Sequence, residues 1–104
     1  MDQLSVLQRI KAALAVAFGS RCRGVVLYGS EARGEATSDS DIDVLVLLAG
    51  PVQLGQDLRT IIHTLYPLQF EIGRSIDALP VDITVYEAGE FALYRNAKRE
   101  GITA

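Results

Sequence analysis

The stretch "LYGSEARGEATSDSDIDVLVLL", residues 27 to 48, places a polar segment between two apolar runs. Gly29 and Ser30 follow the first run, and Asp41 and Asp43 begin the second. Short β-branched and aromatic runs with such boundaries are typical of buried strands. Ionised carboxylates are depleted in strands and costly to bury without a partner. The stretch therefore predicts two strands joined by a polar loop, and a cation that compensates the two aspartates.

The surrounding sequence predicts three helices and a third strand. The predicted elements are helices at 3–18, 53–66 and 89–101 and strands at 24–29, 41–48 and 81–86. Gly19 and Gly101 are expected to end helices, and Pro67 to end or kink one. Segment 68–79 is compatible with either helix or strand. This order predicts an α/β (α+β) domain with a small mixed β-sheet and helices packed on it.

Period-2 alternation assigns the residues of the second strand to its two faces. One face is expected to hold Ile42, Val44, Val46 and Leu48, and the other Asp41, Asp43, Leu45 and Leu47. Asp82 adds a third carboxylate in the predicted third strand, and the predicted strands contain no basic residue. A bound divalent metal is therefore the simpler compensation. Carboxylate oxygens suit Mg²⁺, and Asp41 and Asp43 have the spacing to share a two-metal site.

The composition is that of an ordinary globular protein. The 104 residues are 49% hydrophobic and 22% charged, which predicts one compact domain, 1–104. The net charge of -3 gives no overall reason to bind nucleic acid or an anionic membrane. Arg95, Lys98 and Arg99 suit either a local nucleic-acid patch or, as we favour, the last turn of a helix.

Cysteine and histidine usage excludes two further classes of site. The single cysteine, Cys22, excludes an intramolecular disulfide, and with the single histidine, His63, it leaves no His/Cys zinc set. Residues 1–20 carry charges among apolar positions and resemble neither a signal peptide nor a membrane span. We expect a reducing cytoplasm as the compartment and no functional role for Cys22 or His63.

The Gly-Ser pair has the features of a phosphate-binding turn. Gly29 has no side chain to block a phosphate, and Ser30 offers a hydroxyl and a backbone N–H at a possible helix start within 30–33. No lysine follows at P-loop spacing, and a G-x-G-x-x-G pattern is absent. Alone, a Gly-Ser turn or a D-x-D pair is compatible with ordinary surface structure. Their combination predicts a site for phosphate and metal.

Gly29-Ser30, ten intervening residues and Asp41-Ile42-Asp43 match the signature G-S-x(10)-D-x-D. With apolar strands on both sides, the chain resembles the DNA polymerase β-like nucleotidyltransferase superfamily. "GSEARGEATSDSDIDVLV" closely resembles its small prokaryotic branch, the minimal nucleotidyltransferases. Arg33-Gly34, the run from Ser38 to Ser40 and the C-terminal "EFALYRNAKREGI" are also similar to that branch, so the resemblance extends over most of the chain.

The resemblance implies transfer of a nucleoside monophosphate, from ATP in preference to other triphosphates, onto an acceptor hydroxyl with two Mg²⁺ ions. The implied site consists of Asp41 and Asp43 as metal ligands, Asp82 as third metal ligand and possible base, and Gly29, Ser30, Arg33 and Ser40 at the nucleotide. Asp82 is assigned only by its strand context, "VDITV", because the family's spacing to this carboxylate varies. Arg33 also suits a solvated loop.

The resemblance further implies a partner. Small members of the branch often act as antitoxins of a helical HEPN-type protein, some by transferring AMP onto it. Three functions stay open at this point: an enzyme that transfers AMP, a module that neutralises its partner by contact alone, and a regulator that binds nucleotide without transfer. No membrane partner is expected, and direct binding of nucleic acid is not indicated.

Overall fold

The computed structural model describes residues 2–37 and 39–104. The helices are α1 (Gln3–Phe18), α2 (Gly29–Ala32), α3 (Leu54–Ile72), α4 (Ile83–Ala88) and α5 (Ala92–Glu100), and the strands are β1 (Cys22–Tyr28), β2 (Ile42–Leu48), β3 (Ile76–Asp82) and β4 (Ile102–Thr103). The four strands form one sheet in the order β3-β2-β1-β4. β2 runs antiparallel to β1 and parallel to β3, so the prediction of a small mixed sheet is confirmed. None of the helices in the described ranges has the length and apolarity to cross a membrane.

Helix α1 has the predicted bounds for identifiable reasons. The Asp2 carboxylate accepts a hydrogen bond from the Ser5 backbone N–H at 2.7 Å and so caps the helix start. Gly19 ends the helix with φ of 59°, a value that glycine adopts without steric cost. Between these ends, Leu7, Ile10 and Leu14 are buried against the sheet. The predicted helix at 3–18 and its end at Gly19 are therefore confirmed.

Strand β2 is the centre of the fold because both of its faces are covered. Its first face contributes Ile42, Val44, Val46 and Leu48 to a core shared with α1 and α3. On the opposite face, Leu45 and Leu47 pack with side chains from β1, β3, α4 and α5. The predicted alternation is confirmed. Asp43 lies on this second face, so its carboxylate belongs to a packed side of the sheet.

The third strand lies earlier in the chain than predicted. Helix α3 continues through Pro67 to Ile72, and β3 follows at Ile76–Asp82. The strand predicted at 81–86 is wrong, because residues 83–88 form α4, whose start is capped by Asp82 accepting from the Thr84 N–H at 2.8 Å. Pro80 is tolerated in β3 because this strand is at the sheet edge, where a missing N–H costs no ladder bond.

The C-terminal segment closes the other edge of the sheet. Helix α5 ends at Gly101 as predicted, and β4 then pairs antiparallel with β1. A Cβ on Gly101 would lie 2.3 Å from the Ala97 carbonyl oxygen and 2.9 Å from that of Leu27. Only glycine fits here, because the chain must pass directly over β1 before it forms β4.

The basic residues of α5 are engaged with nearby backbone. Arg95 donates to the carbonyl oxygens of Gly89 and Glu90 at 2.9 and 3.0 Å. Lys98 donates to the Glu87 carbonyl at 2.8 Å. These bonds hold α5 against the end of α4.

A partly buried ion pair joins Arg21, the residue before β1, to Asp57 of α3 at the end of the sheet where β2 finishes. Arg21 donates two bonds of 3.0 Å to the Asp57 carboxylate and further bonds to the carbonyls of Ala49 and Pro51. Asp57 is only 4% exposed and also accepts from the Gln53 N–H. The hydrogen bonds from Arg21, against the opposing effect of burial, hold the pKa of Asp57 below its ordinary value.

We expect Asp57→Asn to lower the free energy of unfolding at pH 7 by about 1.5–3 kcal/mol, because the buried side chain at position 57 loses its charge-assisted hydrogen bonds from Arg21. A carboxyl with a lowered folded pKa stabilises the protein above its unfolded value, near pH 4, and this contribution is lost as pH falls through the folded value. The difference between wild type and variant should therefore shrink between pH 5 and pH 3. Urea unfolding across this range measures it.

Glu71→Gln is the matched control, because its carboxylate pairs with Arg9 at the surface and is 60% exposed. We expect it to change stability by less than about 1 kcal/mol. Equal losses of stability in the two variants would contradict a larger contribution from the Arg21–Asp57 pair than from the Arg9–Glu71 pair.

Candidate active site

Three strands bring their functional residues to one end of the sheet. In the antiparallel pairing of β1 with β2, Tyr28 lies opposite Asp43. In the parallel pairing of β2 with β3, Asp43 lies opposite Asp77. Asp41 directly precedes β2, and Gly29 directly follows β1. The Gly-Ser turn and the D-x-D pair, which are separated by ten residues in sequence, therefore meet at the end where β1 finishes and β2 begins.

Gly29 lies directly against the Asp43 carboxylate. A Cβ at this position would lie 2.7 Å from Asp43 Oδ2, closer than real Cβ contacts allow. Gly29 also has φ of 73°, which side chains rarely permit. Two independent constraints thus require glycine, and the first of them shows that the backbone of the turn lies next to the carboxylate.

The environment of Asp43 opposes its ionisation. Burial raises its pKa above the ordinary value, and the charges of Asp77 and Asp41 raise it further. Burial also raises the pKa of Tyr28, followed by the charges of Asp43 and Asp77 and by Tyr94. Negative charge is therefore concentrated in a half-buried place on the same face as Leu45, which is the arrangement that a bound cation would relieve.

The donor set fits a hard divalent cation that takes part of its coordination from a substrate. Asp41, Asp43 and Asp77 supply carboxylate oxygens, the ligands that Mg²⁺ prefers. Within residues 2–37 and 39–104, no three acidic, histidine or cysteine side chains already stand close enough to enclose an ion. Mg²⁺ is usually held by one or two carboxylates together with substrate phosphates, so an open arrangement is compatible with this ion.

The structure does not bring Asp82 to this cluster. Asp82 pairs with Leu48, at the opposite end of β2 from Asp43. It is five residues beyond Asp77 along β3, which corresponds to roughly 17 Å of extended strand. Its carboxylate caps α4 and lies against Gly50, where a Cβ would approach it to 2.0 Å. The third carboxylate beside Asp43 is Asp77, because β3 is shifted toward the N-terminus relative to the prediction.

Asp77 was missed although a sequence signal for it exists. The start of β2 reads Ile-Asp-Val-Leu at 42–45, and the start of β3 reads Ile-Asp-Ala-Leu at 76–79. These two tetrads pair in register, with Ile42 opposite Ile76 and Asp43 opposite Asp77. The repeated pattern of an acidic residue after isoleucine at a strand start would have indicated Asp77.

The other predicted nucleotide-binding residues surround the turn. Ser30 lies in α2, and its carbonyl accepts from the Glu35 N–H at 2.9 Å. Arg33 is exposed and donates to the Glu35 carboxylate at 3.2 Å. The Ser40 hydroxyl lies 3.3 Å from the Thr37 hydroxyl. Ser38, part of the run quoted for the resemblance, lies outside the described residues.

A cavity of about 170 Å³ opens beside the turn. Its wall is formed by Tyr28, Gly29 and Arg33 on one side and by Leu93, Asn96, Ala97 and Glu100 of α5 on the other. Arg33 also approaches the Glu100 carboxylate at 3.9 Å. The cavity adjoins the carboxylate cluster through Tyr28 and Gly29, and α5 therefore contributes to the same site.

The chain matches a known protein family over almost its whole length. The model of the nucleotidyltransferase domain family matches residues 3–103. A Methanocaldococcus jannaschii protein named "putative protein adenylyltransferase" is 29% identical over 73 residues, which are 69% of this chain and 74% of the relative.

Two solved structures share the fold. One, described as a "putative minimal nucleotidyltransferase", has a TM-score of 0.58 at 28% identity and covers 98% of this chain and 95% of its own. The other, a toxin–antitoxin complex with AMP-PNP, has a TM-score of 0.64 at 17% identity and covers 92% of this chain and 70% of its own. At that identity, the second structure supports the fold alone. Because the family model spans nearly all residues and the minimal nucleotidyltransferase is similar from end to end, this chain belongs to the nucleotidyltransferase domain family and is an enzyme of that class.

Proposed function

We propose that the protein transfers AMP from ATP onto an acceptor hydroxyl in a Mg²⁺-dependent reaction. The observation that carries this proposal is the position of Asp43. Its half-buried carboxylate lies against the Gly29 turn, and Asp77 is its neighbour on the adjacent strand β3. A phosphate-binding turn in contact with a metal-binding carboxylate is what nucleotidyl transfer requires, since the metal and the phosphates must share one place. The relative named as an adenylyltransferase supports ATP as the donor.

Asp41 and Asp43 are proposed to hold two Mg²⁺ ions, with Asp77 as the third carboxylate. When bound, the ions supply positive charge that offsets the phosphates and the carboxylates. The raised pKa of Asp43 supports this assignment, because the causes acting on it are burial and two further negative charges. We propose Asp77 in the place that the sequence had suggested for Asp82, because the strand register pairs Asp77 with Asp43.

The transfer step forms one bond and breaks one. The acceptor oxygen bonds to the α-phosphorus of ATP, the bond from that phosphorus to the bridging oxygen breaks, and pyrophosphate leaves. The proton of the acceptor hydroxyl passes to a carboxylate, for which we propose Asp77, a strand-start residue that faces Asp43 and is exposed.

The turn and its neighbours are proposed to hold the nucleotide. The backbone of Gly29 and Ser30 is proposed to face the phosphates, because Gly29 has no side chain and both residues lie in the first turn of α2. Arg33 is exposed at the rim of the 170 Å³ cavity and is suited to neutralise phosphate charge. Ser40 directly precedes Asp41 and is proposed to contact the nucleotide through its hydroxyl.

We further propose that the physiological acceptor is a protein partner, a helical HEPN-type toxin, and that this chain acts as its antitoxin. The resemblance to the small antitoxin branch of the family motivates this proposal, and a solved toxin–antitoxin complex shares the fold. The relative's name, protein adenylyltransferase, supports a protein as the acceptor.

The proposed reaction is tested by incubating the protein with ATP, Mg²⁺ and an extract of its own cells. Relative to the same extract with Asp43→Asn, the wild type should add α-phosphate label to a macromolecule and should add no γ-phosphate label, because pyrophosphate carries the γ-phosphate away. Label retained from both forms would indicate another reaction. A partner that binds the protein but acquires no label would indicate neutralisation by contact.

Asp77→Asn is expected to lower the transfer rate by about 100-fold or more, because it removes the proposed base and one charge of the cluster. Asp82→Asn is the matched comparison on the same strand, about 17 Å away, and should retain most of the activity. Initial rates of label transfer measure both. Loss of activity in Asp82→Asn, with normal activity in Asp77→Asn, would contradict the assignment and restore Asp82 to the site.

A further inference from the structure

We propose that Arg74 is a positioning residue for the transfer reaction. It lies in the turn between α3 and β3 and joins the phosphate-binding turn to the start of β2. The inference rests on the proposed function, since it concerns the geometry of that same site. Arg74 does not act on the substrate. Its side chain acts through Asp41 and α2.

The first contact of Arg74 is with the residue before Asp41. Its guanidinium donates two bonds to the Ser40 carbonyl, from Nε at 3.1 Å and from Nη2 at 2.9 Å. A paired donation to one carbonyl fixes the direction of the peptide as well as its distance. Arg74 therefore fixes the position of the peptide group immediately before Asp41.

The residue after Asp41 is held by the same turn. The Ile42 N–H donates to the Ser75 carbonyl at 2.9 Å. Asp41 is thus anchored on one side by the Arg74 side chain and on the other by the Ser75 backbone. Two adjacent residues of the α3–β3 turn therefore fix the backbone on both sides of Asp41, and with it the position from which the Asp41 side chain extends.

The second contact of Arg74 reaches the phosphate-binding turn. Its Nη1 donates to the Glu31 carboxylate at 2.7 Å, and Glu31 is in α2, two residues after Gly29. The Glu31 backbone carbonyl accepts a further bond from the Gln3 side chain. Arg74 consequently links α2 to the entry of β2, which are the two parts of the site that must keep a constant separation.

The pair is sheltered enough for this link to be rigid. The Arg74 side chain is 18% exposed and that of Glu31 is 16% exposed. Lysine would preserve the charge at this position but would lack the planar fork that serves Ser40 and Glu31 together. The geometry therefore requires arginine specifically, which separates a positioning role from simple charge balance.

The test compares Arg74→Gln with Arg21→Gln. Arg21 is a matched control because it also donates to one carboxylate and to backbone carbonyls, but at the opposite end of the sheet. For both variants, kcat, KM for ATP and the Mg²⁺ concentration for half-maximal rate are measured by label transfer at a temperature where each is folded. Arg74→Lys and Glu31→Gln are measured in parallel, so that the proposal stays testable if Arg74→Gln fails to fold.

We expect Arg74→Gln to lower kcat/KM by about 10- to 100-fold and to raise the half-saturating Mg²⁺ concentration, because small misplacement of reacting groups has effects of this size. Arg74→Lys should recover little of this loss, and Glu31→Gln should show part of it. Arg21→Gln should unfold at a lower temperature but keep the wild-type kinetic constants.

Wild-type constants in Arg74→Gln, or equal kinetic losses in Arg21→Gln and Arg74→Gln, would overturn the positioning role while leaving the proposed function intact. Wild-type kinetic constants in Arg74→Lys would show that only the positive charge of Arg74 matters. This result would also overturn the positioning role. A wild-type protein that transfers no label to its confirmed partner would overturn the proposed function and this inference together.

Discussion

Asp43→Asn is expected to reduce nucleotidyl transfer by about 1,000-fold or more, because it removes a charge that is proposed to bind Mg²⁺ at the centre of the site. Asparagine has nearly the same shape as aspartate, so the contact with Gly29 and the pairing with Asp77 should persist. Initial rates of α-label transfer measure the effect. Asp39→Asn is the control of equal charge change, because Asp39 is exposed in the loop before β2.

The same substitution should leave the metal-free protein as stable as the wild type or more stable at neutral pH. The folded state raises the pKa of Asp43, chiefly through burial and then through Asp77 and Asp41, so it holds the proton more tightly than the unfolded chain does. The contribution of Asp43 to stability is therefore fully present below its unfolded pKa, near 4, and is lost as pH rises through the folded value. Asparagine does not ionise, so Asp43→Asn avoids this loss of stability as pH rises.

Thermal unfolding from pH 4 to pH 8 without divalent ions tests the direction of this stability difference. The advantage of Asp43→Asn over the wild type should grow with pH. Mg²⁺ should then raise the unfolding temperature of the wild type more than that of the variant, because binding to the folded state stabilises it. A variant that is less stable than the wild type at pH 8 without metal would contradict the account of a strained carboxylate cluster.

Gly29→Ala is also expected to have a large effect, a loss of transfer of about 100-fold. The added Cβ would lie 2.7 Å from Asp43 Oδ2, so the turn and the carboxylate must separate. The phosphates and the metal-binding group would then no longer share one place. Steady-state kinetics should show both a lower kcat and a higher Mg²⁺ concentration for half-maximal rate.

Gly34→Ala provides an unusually close control for this substitution. Gly34 has the same φ of 73° as Gly29, but a Cβ there meets nothing within 4 Å. Both variants carry the same backbone strain, and only Gly29→Ala adds the collision with Asp43. Similar activities of the two variants would show that strain alone accounts for the loss, and would contradict the direct contact between turn and carboxylate.

The elements that were predicted correctly carry strong local signals. Helix α1 has a capping aspartate at one end and Gly19 at the other, and β2 shows strict alternation over 42–48. The Gly-Ser turn and the D-x-D pair were recognised by their spacing, and the antiparallel pairing of β1 with β2 brings them together. These features depend on residues close in sequence or on a single hairpin-like pairing.

The third strand was misplaced because its local signals conflict. "VDITVY" alternates as strands do, yet Asp82 caps a helix that begins at Ile83. Pro67 predicts a helix end or a kink, and α3 continues through it to Ile72. The choice between Asp77 and Asp82 depends on the register of β3 against β2, a tertiary property that alternation within one segment does not contain.

Covalent transfer of AMP makes the acceptor heavier, so the mass of the acceptor distinguishes transfer from binding alone. The macromolecule that acquires α-label is isolated after incubation with ATP, Mg²⁺ and either the wild type or Asp43→Asn, and its intact mass is measured. We expect the mass to increase by one or more AMP units with the wild type and to stay unchanged with the variant. An acceptor that binds the wild-type protein yet keeps its unmodified mass would contradict the account.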